Sequence, residues 1–303
     1  MSTTRRTLLA GTGALLGASV LVGGCAPVPP ECPAPGGAWE PADPTAAWRP
    51  GGWFHHDSVD ASRVAEGVVR ARLLGAWREL PLATLPQRFV DWSLSERLLK
   101  LDEIAARGFD PRALEGPHNA CVASFGGSVL DSFTSLNTAY KGIGWMPRAE
   151  HLAQSVAELG ARSSVLARAD LDGPARLLGA LNVLREIYLA PDRLDRSRQV
   201  SLELFATPAR ATHTFANLLA NPVVSLSFLA FPAFEIRAVA QLLHPADPGL
   251  TEAERLAVAW ANGVHDLAHG VGDDIRRITC IYHVIELFDD SPSGDGRGRR
   301  LAP

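Results

Sequence analysis

His265-Asp266-Leu267-Ala268-His269 is the pattern in this 303-residue chain best suited to chemistry. Two imidazoles four residues apart share one face of a helix, and imidazole nitrogens ligate divalent metals such as zinc. Asp273, Asp274, His55 or His56 could complete such a site. Glu286 falls roughly 13 Å from the pair if the next segment is an antiparallel helix. A second candidate is His55-His56-Asp57, adjacent histidines in a loop that could also bind metal. A third is His118-Asn119-Ala120-Cys121, where Cys121 would be a nucleophile and His118 its base. Each competes with a plainer reading, in which these side chains are solvated polar faces.

The His265–His269 stretch resembles the HExxH motif of zinc proteases, with Asp266 where that motif has glutamate. The shorter carboxylate puts general-base geometry in doubt. Gly-x-Ser-x-Gly, P-loop and dinucleotide fingerprints are absent from the sequence.

The elements that must position these residues read as helices. Asp57 or Ser58 caps a helix running to Leu80, with Val64, Val68, Leu73 and Trp77 in its apolar stripe. Ser93 and Glu96 make a capping box for a helix over 94–107 that stops at Gly108. Further helices are expected near 128–140, 148–168, 173–189 and from Pro208 to Ala220. Asn221-Pro222 opens another to Leu243, bent at Pro232. Thr251 and Glu254 make a second capping box for a helix to His269, and a last helix spans 273–288. No run shows the alternation of a half-buried strand, so the expected fold is all-α, a multi-helix bundle. Thr212 to Phe234, free of acidic and basic side chains other than His213, reads as a buried helical hairpin.

The first residues address the chain. Arg5-Arg6 precede an uncharged run, Leu8 to Gly24, that ends at Cys25. At about 17 residues the run is short for a bilayer span and fits an export signal. Leu21-Val22-Gly23-Gly24-Cys25 resembles the bacterial lipoprotein box, which implies cleavage before Cys25, its lipidation, and a membrane anchor. Thr4-Arg5-Arg6-Thr7-Leu8-Leu9 resembles a twin-arginine signal, with an ordinary secretory signal as the alternative. The expected organisation is a signal peptide over 1–24, a lipidated, proline-rich linker over 25–52, a domain over 53–290 and a disordered tail over 291–303. Eight prolines between Pro27 and Pro50 keep the linker extended. The protein is therefore expected on the extracytoplasmic face of a bacterial membrane.

Cleavage would take the formal charge from −4 to −6 by removing Arg5 and Arg6. With no basic patch evident, nucleic acid is excluded as an expected partner. Lipidation of Cys25 leaves Cys32, Cys121 and Cys280, an odd set in which a Cys121–Cys280 bridge and buried free thiols both remain open. Phe215 to Gly263, ending Leu-Thr-Glu-Ala-Glu-Arg-Leu-Ala-Val-Ala-Trp-Ala-Asn-Gly, faintly resembles the helical core of the AhpD/carboxymuconolactone decarboxylase superfamily, without its two cysteines. That likeness implies a helical fold and transfers no catalytic residue. Two functions are expected: a lipid-anchored protein binding a small-molecule or protein ligand or a divalent metal, extending to metal-dependent catalysis, or a non-catalytic envelope lipoprotein serving as a binding or assembly module.

Overall fold

Three strands follow the Asp57-Ser58 turn where the sequence suggests a helix. In the computed structural model, which describes residues 46–108, 110, 115–126, 134–269, 276–292 and 298–301, β1 (Val59–Asp60), β2 (Val68–Leu73) and β3 (Ala76–Pro81) form a small antiparallel sheet. Val69 and Ala71 point inward; Arg70 and Arg72, between them in sequence, point out. α1 (Gln87–Arg107) ends at Gly108, whose φ of 81° suits glycine. It starts about two turns before the expected capping box. Ser93 is therefore mid-helix, and its hydroxyl accepts from Trp145 Nε1 at 3.2 Å.

The remaining elements are β4 (Asn119–Phe125), β5 (Leu136–Gly142), β6 (Gly144–Pro147), α2 (Ala149–Arg168), α3 (Gly173–Tyr188), β7 (Leu194–Glu203), α4 (His213–Ala220), β8 (Val223–Ser227), β9 (Phe234–Leu243), α5 (Glu252–His269), β10 (Ile278–Asp289) and β11 (Arg299–Leu301). The all-α expectation is thus overturned: the fold is mixed, with five α-helices and eleven strands among the described residues. The helical core implied over Phe215 to Gly263 is instead α4, β8, β9 and α5. The expected bent helix from Asn221 is a β8–β9 hairpin, with Pro232 in its connection. The expected last helix is β10, the strand between β9 and β7. The stretch expected as helix 128–140 lies partly outside the described residues, and its last part is β5.

The large sheet has the order β5-β4-β8-β9-β10-β7-β6, all antiparallel, with β11 added to β10. Its first and last members, β5 and β6, are separated in sequence by Ile143 alone. The sheet must therefore curl until its two ends meet. Side chains from β4, β6, β7, β8, β9 and β10 converge in one core, joined by Phe89 and Trp92 of α1 and Phe215 and Leu218 of α4. On the outer face, α2, α3 and α5 build a second core over Met146, Val200, Leu243 and Ile281. The small sheet covers Val239 and Ile285 elsewhere on that face.

Helix ends follow local chemistry. Asp172 Oδ1 accepts from Ala175 N at 2.8 Å at the start of α3, and Thr212 Oγ1 accepts from Phe215 N at 3.1 Å at the start of α4. The Thr251–Glu254 box forms as expected: Thr251 N donates to Glu254 Oε2 at 2.8 Å, and Glu254 N to Thr251 Oγ1 at 3.3 Å. No helix among the described residues is long and apolar enough to cross a membrane.

Candidate functional site

His265 and His269 occupy the last turns of α5, their ring centroids 4.6 Å apart. The helix thus delivers the expected juxtaposition. Its surroundings favour anions over cations. Asp266, the nearest carboxylate, faces His265 Nδ1 at 3.3 Å and pairs with Arg276 and Arg277, each at 3.3 Å. Burial lowers the His269 pKa, and His265 and Arg277 lower it further. A divalent cation would have to displace two guanidinium groups from Asp266. Among the described residues no group of three or more histidine, cysteine, aspartate or glutamate side chains is placed to hold a metal. Asp273 and Asp274, candidate completing ligands, lie outside the described residues. Glu286 lies on β10 and pairs with Arg237 and Arg300.

His55 and His56 point in opposite directions, as successive residues of extended chain do. His56 is buried and structural. Its Nδ1 accepts from Leu242 N at 2.9 Å, so the proton sits on Nε2, which faces Leu218 O at 3.1 Å and Ser58 Oγ at 2.8 Å. Both nitrogens are occupied, and burial drops the pKa to about 4. His55 is half-exposed and places Nδ1 2.6 Å from Asp247 Oδ2, whose side chain is 3% exposed. A carboxylate orienting an imidazole is half of a catalytic triad. Phe54, the preceding residue, packs edge to face with Trp48 and His244.

Cys121 lies on β4, where burial of Ala120 and Val122 turns it to the opposite, outer face, beside Tyr140 of β5. His118 precedes the strand and lies against Gly116. Cys280 faces inward from β10, so the two thiols are not bridged. Burial pushes the Cys280 thiol up to about 12 and keeps it protonated. Tyr282 lies against it, and the buried pair Lys141–Glu203, 2.6 Å apart, lies nearby. Cys25 and Cys32 lie outside the described residues.

One opening is not singled out by the sequence. It lies between α2 and α3, a cavity of about 430 Å³ walled by Ala161, Val165, Leu166, Gly179 and Val183. A smaller recess of about 100 Å³ shares Glu158, Arg162 and Val183 with it and is lined by Leu159, Ile187 and Trp260. Ion pairs Arg162–Glu186 at 2.7 Å and Arg193–Glu158 at 3.1 Å stand at the rim. Gly179 brings the helices close, with Leu166 Cδ2 where its Cβ would be. Trp260 supports the recess from α5, its Nε1 donating to Trp145 O at 2.9 Å. The sequence signal was Val165, an apolar residue left outside the core stripe and 64% exposed.

No protein-family model matches this chain, and no curated protein matches it. The functional reading therefore rests on the geometry.

Proposed function

We propose that this protein is a non-catalytic envelope lipoprotein that binds an apolar ligand, an alkyl chain or an aliphatic peptide segment, in the groove between α2 and α3. The observation that carries this reading is the groove itself: apolar walls, a rim of closed ion pairs, and an adjoining recess ending on Trp260. Pockets of a few hundred cubic ångströms with apolar linings are the usual form of a small-ligand site. Among the described residues, the histidines and cysteines elsewhere bring no nucleophile, base and oriented acceptor together. The leader and Cys25 support the envelope placement.

Trp260 makes the test direct. A fatty acid brominated along its chain should quench Trp260 saturably, and Trp260→Phe should remove the quenched component. Val165→Glu puts a charge on the exposed wall without disturbing the core, and should weaken binding at least tenfold. Absence of saturable quenching would end the proposal.

A second reading keeps a divalent metal on His265 and His269, because their rings already face one another at 4.6 Å. Metal analysis of the purified protein and of a His265→Ala/His269→Ala variant decides it. A metal-free parent protein rules it out.

A further inference from the structure

The chain enters the domain through a short loop that lies against the turn following β7. Arg49 N donates to Trp53 O at 2.6 Å and closes the loop. A Cβ on Gly52 would meet Pro208 Cγ at 3.6 Å, so the loop abuts the turn that joins Thr207 to Arg210. Trp48 stacks on Phe215 of α4, ring centroids 5.6 Å apart, and meets Phe54 edge to face. The two loops thus form one surface on a fixed aromatic floor.

That surface is apolar and basic. Phe205 is 58% exposed, and the Arg210 guanidinium lies 6.0 Å from its ring centroid. Trp53 is partly exposed, and Arg49, Pro50 and Pro208 are exposed. Residues 46–56 and 204–219 contain no acid, in a protein of net charge −4. The acids bordering them are engaged elsewhere: Glu203 with Lys141 and Asp247 with His55, each at 2.6 Å. Arg49 and Arg210 make no ion pair among the described residues, and Asp57, in the turn beyond His56, pairs with neither. Two uncompensated guanidinium groups therefore flank exposed aromatic rings. Tryptophan settles at headgroup depth, arginine pairs with anionic headgroups, and phenylalanine reaches the acyl boundary.

We infer that this surface rests on the bilayer that holds the lipid at Cys25, through Arg49, Trp53, Phe205 and Arg210. The inference rests on the envelope placement proposed above, because the anchor supplies the tether; it does not involve the α2–α3 groove. The place where the tether joins the domain selects this occupant. The segment from Cys25 to Ala46 extends at most about 70 Å and joins the domain at this surface. This is the face that meets the membrane without the linker crossing the domain. Glu31, Glu40 and Asp43 give the linker itself no attraction to anionic lipid, so the contact falls to the two loops. A tether holds the surface at an effective concentration on the order of millimolar, so weak contacts suffice. Each arginine near an anionic surface contributes about 1 kcal/mol, roughly a fivefold gain.

The experiment uses the protein as its own cell processes it, reconstituted on vesicles of phosphatidylcholine alone or mixed with phosphatidylglycerol. Mass spectrometry reads the lipid on Cys25, and flotation with both vesicle types reads the anchor. The difference spectrum between the parent and Trp53→Phe isolates Trp53 among the seven tryptophans. On the mixed vesicles Trp53 emission should shift to the blue and be quenched by brominated lipid. Arg49→Gln/Arg210→Gln should lower the docked-to-free ratio about 25-fold, from about 1 kcal/mol per arginine. Arg72→Gln/Arg78→Gln makes the same charge change on the β2–β3 hairpin and should leave the ratio as it is. Lipidated protein that floats with both vesicle types but gives one Trp53 spectrum overturns this inference and leaves the envelope placement standing. A Cys25 without lipid overturns both. Equal losses in the two double variants would mean a response to net charge alone and overturn the surface. So would soluble poly-glutamate that shifts Trp53 as far as the vesicles do, which would assign the loops to an acidic protein.

Discussion

His55 Nδ1 sits 2.6 Å from Asp247 Oδ2, linking the segment that enters the domain to the turn after β9. Asp247 also accepts from Gly249 N at 2.8 Å through its other oxygen. Replacing His55 by alanine leaves a nearly buried carboxylate oxygen without that donor. His55→Ala is expected to lose about 1–3 kcal/mol. Asp247→Asn should lose less, because an amide still accepts at one atom. Urea unfolding of both variants measures the order.

Two buried histidines set an acid limit. Burial holds His56 at about 4 and His283 at about 3, below the usual value of 6.5 for the unfolded chain. Both are neutral when folded, so the unfolded state binds more protons between those values. The stability they contribute is complete above about 6.5 and is lost as pH falls toward 4 and then 3. The loss should be on the order of a few kcal/mol. The urea midpoint should fall from pH 7 to pH 5, and His56→Gln should flatten that slope. A midpoint constant across this window would contradict the buried, neutral assignment.

Lys141 and Glu203 meet at 2.6 Å with side chains 13% and 4% exposed, joining β5 to β7 where the sheet closes on itself. Lys141→Met strands a buried carboxylate and should cost about 3–5 kcal/mol. The double variant Lys141→Met/Glu203→Leu should recover much of that, because no unpaired charge remains. A double-mutant cycle in urea shows the coupling. Additive losses would mean that water reaches Glu203.

A methyl group at Gly126 would collide with the backbone of Asn217, at Asn217 Cα. Asn217 ties α4 to the end of β4, its Nδ2 donating to Ser135 O at 2.6 Å and Ser124 Oγ at 3.2 Å. Gly126→Ala should therefore push α4 off the sheet and destabilise by more than about 3 kcal/mol, above the usual range for a point substitution. Asn217→Ala, which frees the space while losing the bonds, should cost less. Thermal unfolding of the two distinguishes steric from hydrogen-bond loss.

Helix termini were legible where the signal is local. The Thr251–Glu254 box and the Gly108 stop each act within one turn, and α2, α3 and α5 fall close to the expected bounds. The pair His265/His269 was legible for the same reason, because four-residue spacing fixes one helix face. What those histidines meet was not: Arg276 and Arg277 reach Asp266 from beyond the end of α5.

Ile278–Asp289 and Phe234–Leu243 read as helix because neither alternates. Nearly every residue of both strands is buried, since one face fills the curled interior and the other meets α5 or the small sheet. A strand covered on both sides has no period of two to read. The hairpin at Leu74-Gly75 was hidden differently, because leucine stands where the turn prefers asparagine. The chain alone thus determined where α2, α3 and α5 start and stop and where α1 ends, since those interactions close within a few residues. Strand identity, the approach of β5 to β7, and the companions of every candidate side chain were decided by partners distant in sequence, whose burial and pairing exist only once the sheet has curled.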